Sequence, residues 1–141
     1  RYKVIGRTRD KTGVILYDRL KSYPNVKLLG KLSHDETIRE IARSKALIST
    51  SPMEGFPNIF IEAWSCGVPV LSLFVDPGGV ISREKLGVVA GGDIRKLIYA
   101  AGNVTDNAEF RSRANDYVHR THEINESKIT EINTIFTSVL G

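Results

Sequence analysis

Short apolar runs closed by glycine alternate along this chain with longer stretches whose apolar residues recur at helical spacing. Tyr2-Lys-Val-Ile-Gly6 reads as a strand, and Val26-Lys-Leu-Leu-Gly30 as a second. Between them Thr12 to Tyr23 predicts a helix, with Val14, Leu16, Tyr17 and Leu20 near one face, until Pro24-Asn25 breaks it. Ser33-His-Asp-Glu36 has the spacing of a capping box and opens a helix through Arg43, with Ile38, Ile41 and Ala42 facing inward. Ala46 to Ser49 is a third strand, and Thr50 to Gly55 a loop rich in turn formers. Pro57 suits the first turn of the next helix, which ends at Gly67, and Pro69 stops it from continuing.

Val70 to Phe74 reads as a fourth strand, Asp76-Pro-Gly-Gly79 as a turn, and Val88 to Ala90 as a short fifth strand. From Asp93 onward the pattern is helical: Asp93 to Ala101, Asn107 to about His119, and Lys128 to Leu140. Strands alternating with helices predict an α/β fold, a Rossmann-like, mostly parallel sheet with helices on both faces. The pattern holds no repeat and no linker, so residues 1–141 are read as a single domain.

Composition narrows the picture only a little. The 141 residues are 41% hydrophobic and 26% charged, as in ordinary globular proteins, and long enough for a real core. No run approaches the roughly 18 apolar residues of a membrane span. The net charge of +4 is spread along the sequence without aromatic–basic interleaving, so nucleic acid is not an expected partner. The single cysteine, Cys66, has no internal partner, fits a reducing compartment and has no metal-ligand spacing around it. The chain opens in a strand-like run with neither an initiator Met nor a signal-peptide pattern, and the expectation is a piece of a longer protein.

The chemistry concentrates in Glu54-Gly-Phe-Pro-Asn-Ile-Phe-Ile-Glu62, followed by Ala63-Trp-Ser-Cys-Gly-Val-Pro-Val70. In open α/β sheets ligands bind beyond the carboxyl ends of the strands. Here those ends are Gly6, Gly30, the Thr50–Gly55 loop and the Phe74–Gly79 loop. The helix opening at Pro57 offers the amides of Asn58, Ile59 and Phe60 to an anion such as a diphosphate. Glu62 lies deeper in that helix, but side chains lean toward a helix N-terminus, which brings a ribose within its reach. Glu54 precedes the helix and faces the other end of the same ligand.

These residues carry a family resemblance. The Glu54…Glu62 segment with its Gly67-Val-Pro-Val exit resembles the E-x7-E signature of retaining GT-B-fold glycosyltransferases, especially family 4. The likeness extends to Lys3–Gly6, Asn25–Leu32, the Ala46–Pro52 strand and loop, and the helical tail. Nearly the whole chain is therefore similar to the C-terminal, donor-binding half of such an enzyme. The resemblance implies a nucleoside-diphosphate-sugar donor, a glycan or lipid-linked acceptor, and no metal or other cofactor. It matches Glu54 to the residue at the transferred sugar, the mechanistic suspect, and Glu62 to the ribose ligand. Gly55, Phe56, Pro57, Asn58 and Ile59 match the stretch around the sugar and diphosphate. Lys31 and Leu32 match the segment at the nucleobase, and Gly6 a glycine lining that pocket.

The resemblance also implies departures. Tyr2–Gly6 aligns with the family's second strand, so the first strand–helix unit, which carries a basic pair at the diphosphate, is expected to be absent. The N-terminal acceptor domain is expected to be absent too, and the isolated chain inactive. Losing the central first strand leaves a gap in the sheet, closed by direct strand pairing or by dimerisation through exposed edges. Pro57-Asn58 stands where many relatives have a glycine, and residues after Asp76-Pro-Gly-Gly79 depart from the commonest pattern. Expected localisation is cytoplasmic, peripheral at the inner membrane face, with membrane contact left to the missing domain.

Other readings stand beside this one: a non-catalytic nucleotide-sugar module or split-transferase subunit, and a GT-B-fold sugar-nucleotide epimerase. A dehydrogenase domain is disfavoured because no Gly-x-Gly-x-x-Gly follows a strand. Among the remaining residues, Cys66 is read as a small buried hydrophobe, Trp64 as core, and His34 as part of a first helical turn. His119 and His122 are read as surface residues.

Overall fold

A computed structural model describes residues 1–8, 10–105 and 107–122. They fold into two compact units, one from Arg1 to Arg43 and a second from Ser44 onward.

The first unit is a β–α–β–α segment: β1 (Tyr2–Ile5), α1 (Lys11–Leu20), β2 (Val26–Gly30) and α2 (His34–Ala42). The two strands pair in parallel, with a register shift between Val4 and Ile5. Asp10 caps α1 through the Gly13 amide at 2.7 Å. The capping box of α2 forms as the spacing predicts: Glu36 donates its amide to Ser33 Oγ, and its carboxylate accepts from the Ser33 amide. Lys3 on β1 pairs with Glu40 on α2 at 2.6 Å. Burial is sparse in this unit. Ile41 is buried, Ile38 half-buried, and Ala42, expected to face inward, is exposed because it falls at the outer edge of the last turn. The first helix ends at Leu20, three residues short of the expected Tyr23, where Ser22 and Tyr23 fold into turns onto Arg19 and Leu20.

The second unit carries the core. Its elements are β3 (Leu47–Ser49), α3 (Asn58–Ser65), β4 (Val70–Ser72), a 3-10 turn at Pro77–Gly79, α4 (Val80–Arg83), β5 (Gly87–Val89), α5 (Ile94–Gly102) and α6 (Ala108–His122). The strands form a parallel ladder in the order β3-β4-β5, with Ser49 opposite Ser72 and Ser72 opposite Val89. Leu71 points to the face where Ala90 and Leu97 of α5 cluster; Val70 and Ser72 point the other way. On α3, Phe60, Ala63 and Trp64 are buried, and α3 packs on both β4 and α6. Trp64 is fully buried and donates its indole N–H to the Leu86 carbonyl at 3.0 Å. Burying so large a ring with its polar atom satisfied makes it the centre of the core.

Helices α3 and α4 end the same way. Val68 donates to the Ala63 carbonyl and Gly67 to that of Trp64; likewise Leu86 donates to Ile81 and Lys85 to Ser82. These are Schellman closures, each needing a left-handed residue after the cap. Gly67 supplies it at φ 68°, whereas α4 uses Lys85 at φ 54°. Gly87 then has a different constraint: a Cβ there would lie 1.8 Å from the Val70 carbonyl oxygen, so only glycine lets β5 pair with β4.

The fold is thus α/β with every ladder parallel, as the pattern predicts. Within each unit's own sheet, β1 has β2 as its ladder neighbour and β3 has β4, among the described residues. The fourth strand is shorter than Val70–Phe74, the turn expected at Asp76–Gly79 is present as the 3-10 turn, and α4, which the pattern does not predict, follows directly on it. Asp76 explains it. Its carboxylate accepts from the amides of Ile81 and Ser82 and from Ser82 Oγ, nucleating a helix straight after Pro-Gly-Gly. The helix expected at Lys128–Leu140 lies outside the described residues. Among the described residues no helix is long and apolar enough to cross a membrane.

Candidate functional site

In the first unit the candidate residues stand at the strand ends. Gly6 follows β1 and donates its amide to the carbonyl of Gly30, the last residue of β2, at 2.7 Å. Open space lies where a Cβ would stand on either glycine, so a planar ligand could meet bare backbone there. Lys31, exposed, and Leu32, half-buried, continue directly from β2 into the Ser33 cap of α2.

The second unit holds the two glutamates on one continuous loop and helix. The loop after β3 runs from Thr50 to Pro57 and exposes Met53 (85%), Glu54, Gly55 and Phe56 (41%). Pro57 turns inward, is buried and occupies the N-cap of α3 in extended geometry, one position before the expected first turn. It has no side-chain acceptor to close the helix start. Phe60 donates its amide to the Pro57 carbonyl at 3.0 Å, so it is not an anion donor as expected. The amides of Asn58 and Ile59 are left at the positive end of the helix dipole.

Glu62 is the fifth residue of α3 and half-buried. Its charge helps raise the thiol of Cys66, although burial raises it more. Cys66 is only half-buried, not the buried hydrophobe expected, because it is the C-cap where α3 meets the surface. Among the described residues no group of three or more His, Cys, Asp or Glu is arranged to hold a metal ion.

The sequence reading missed one feature of this region. His122, expected at the surface, is half-buried at the end of α6 and packs on Phe56 with ring centroids 5.4 Å apart. It also meets Tyr117, ring to ring at 5.3 Å and through Nε2 to the phenol oxygen at 3.2 Å. Tyr117 in turn packs edge-on against Trp64 at 5.5 Å, and Phe56 against Trp64 at 6.3 Å. Arg120 lies over the Tyr117 ring and pairs with Glu84 at the end of α4. Helical spacing could not reveal this, because the cluster joins His122 and Tyr117 of α6 to Trp64 on α3 and Phe56 on a loop.

No curated protein matches the chain significantly. The family model for glycosyl transferases group 1, however, matches residues 1–119, which spans β1 through most of α6. A match over that much of the chain, on a frame of parallel strands and intervening helices, means that the chain belongs to the glycosyl transferases group 1 family, as a Rossmann-like portion of a GT-B glycosyltransferase.

Proposed function

We propose that this chain is the donor-binding part of a retaining glycosyltransferase that moves a hexosyl group from a nucleoside-diphosphate sugar to a glycan or lipid-linked acceptor. One observation carries the reading. Glu54, the amides of Asn58 and Ile59, and Glu62 follow one another along a single loop and helix start, as sugar, diphosphate and ribose do along the donor.

In this reading Glu62 accepts hydrogen bonds from the ribose hydroxyls, and the helix start receives the diphosphate. Glu54 and the bare backbone at Gly55 meet the sugar, while Phe56 and Pro57 hold the loop. Gly6, Lys31 and Leu32 offer backbone to the base. The acceptor attacks on the face from which the nucleoside diphosphate leaves, so the reaction depends on stabilising leaving-group charge more than on a strong base. Neither metal nor other cofactor takes part, and the protein works in the cytoplasm, against the inner membrane face.

Thermal-shift titration with UDP, GDP and ADP sugars tests the reading. One base class should stabilise the chain, and Glu62→Ala should lose that stabilisation. Equal stabilisation of both proteins sinks the ribose assignment, and no stabilisation by any donor sinks the function. The family resemblance assigns the diphosphate's basic pair and the acceptor site to other segments. The chain alone should therefore bind donor without turning it over; robust turnover by pure protein would overturn this.

A further inference from the structure

Between Pro52 and Phe56 the loop carrying Glu54 makes no hydrogen bond to other described residues; the last one before it joins the Ser51 amide to Ser49 Oγ at 3.4 Å. A loop without backbone ties keeps one conformation only if a side chain anchors it. Among the described residues Phe56 is the side chain that does so. Its ring meets Trp64 at 6.3 Å, nearly perpendicular, and His122 at 5.4 Å, tilted by 58°. Trp64 is fixed on α3 by burial and by its bond to Leu86. His122 is fixed by Tyr117, which is itself buried against Trp64.

We propose that His122 and Tyr117, at the end of α6, are positioning residues: they clamp Phe56 and so set the placement of Glu54 and Gly55 against the donor. The part of this that concerns donor rests on the function proposed above; the clamp itself does not. The end of α6 is thereby coupled to a loop about 60 residues earlier in sequence, and anything that displaces that helix end releases Glu54. His122 touches neither sugar nor phosphate in this account. It acts through the Phe56 ring, which without it keeps only the edge of Trp64 as a ring partner among the described residues and holds the loop less firmly.

Two measurements on the full chain separate the clamp from the function. Backbone amide order parameters, without ligand, should fall at residues 53–56 in His122→Ala from about 0.85 to below about 0.6 and stay unchanged in β4 and α3. His122→Phe, which keeps a ring against Phe56, should restore the ordered values. In a Phe56→Ala background, His122→Ala should add no further change at the loop. Unchanged order parameters at the loop in His122→Ala, or additive effects in the double variant, overturn the proposal. If His122→Ala does not fold, Tyr117→Phe, which removes the bond to Nε2 and keeps the ring, decides it: loop order parameters should fall, and wild-type values overturn the proposal.

The second measurement is donor affinity, followed through Trp64, the chain's single tryptophan. Donor should change its emission through Phe56, and His122→Ala should weaken binding about tenfold, with His122→Phe recovering most of it. Wild-type affinity in His122→Ala overturns the link from clamp to donor. If no nucleoside-diphosphate sugar binds the wild type, the function falls, while the order parameters still decide the clamp.

Discussion

Glu62 and Glu54 have seven residues between them in sequence but different surroundings. Glu62 is half-buried on a helix, whereas Glu54 is exposed on a loop. Their substitutions should separate accordingly. Removing a charged acceptor from the ribose costs about 1.5–3 kcal/mol, so Glu62→Ala should raise the donor Kd by about tenfold to a hundredfold. Glu54→Gln should leave donor binding nearly intact and lower kcat of a full-length enzyme by about 10²-fold or more. Calorimetric titration and steady-state kinetics check the two. A second set of glutamates adds a modest acid dependence to stability. Hydrogen bonds from Ser33, Lys3 and Arg120 hold Glu36, Glu40 and Glu84 respectively below the ordinary value of 4.5. A carboxyl lowered on folding stabilises the fold above its unfolded pKa, and that contribution is lost as pH falls through the folded value. Urea midpoints should therefore drop below about pH 4.5, and less steeply in Glu84→Gln. The glutamate motif was legible because its residue types and spacing are local. His122 was not, because its role comes from Phe56 and Tyr117 meeting it in space.

Elements were legible where their signals are local too. The capping box at Ser33, the glycine after α3 and Asp93 at the start of α5 each mark a boundary in the sequence and in the fold. The turn at Asp76–Gly79 was legible, but helix α4 after it was not, because four residues carry no helical periodicity; the cue lay in Asp76, whose carboxylate accepts from the Ile81 and Ser82 amides. Two substitutions test how these ends are built. Lys85 closes α4 in a left-handed conformation unfavourable to a side chain, so Lys85→Gly should stabilise the chain by about 0.5–1 kcal/mol. Gly87→Ala should do the reverse. Its methyl cannot stand 1.8 Å from the Val70 oxygen, so β5 must part from β4. A loss of about 3 kcal/mol or more in chemical denaturation is expected, and a neutral result would contradict that strand pairing.

At the scale of the molecule, the two units differ in what they bury. The second encloses Phe60, Trp64, Leu71, Ile81 and Leu86 almost completely. In the first, Ile41 is the buried residue, while Val14, Ile15 and Leu16 of α1 stay about half exposed or more. The periodicity of α1 predicts an apolar face correctly; it cannot say whether anything in the chain covers that face. A segment of about 43 residues with so little core is near the lower limit for independent folding. Hydrogen exchange should therefore show residues 2–42 opening at a lower free energy than β4 and α3, and denaturation followed by Trp64 should lag behind that followed by circular dichroism. Coincident transitions would show one cooperative unit instead.

The loop that carries Glu54 also carries the chain's single methionine, Met53, 85% exposed. The other sulfur is guarded, since burial and the Glu62 charge keep the Cys66 thiol protonated and slow to react. Peroxide will thus place its oxygen on Met53 first and turn an apolar thioether into a polar sulfoxide next to Glu54. A mass gain of one oxygen at Met53 is a built-in record of how open the loop has been, and an occupied loop should record it more slowly.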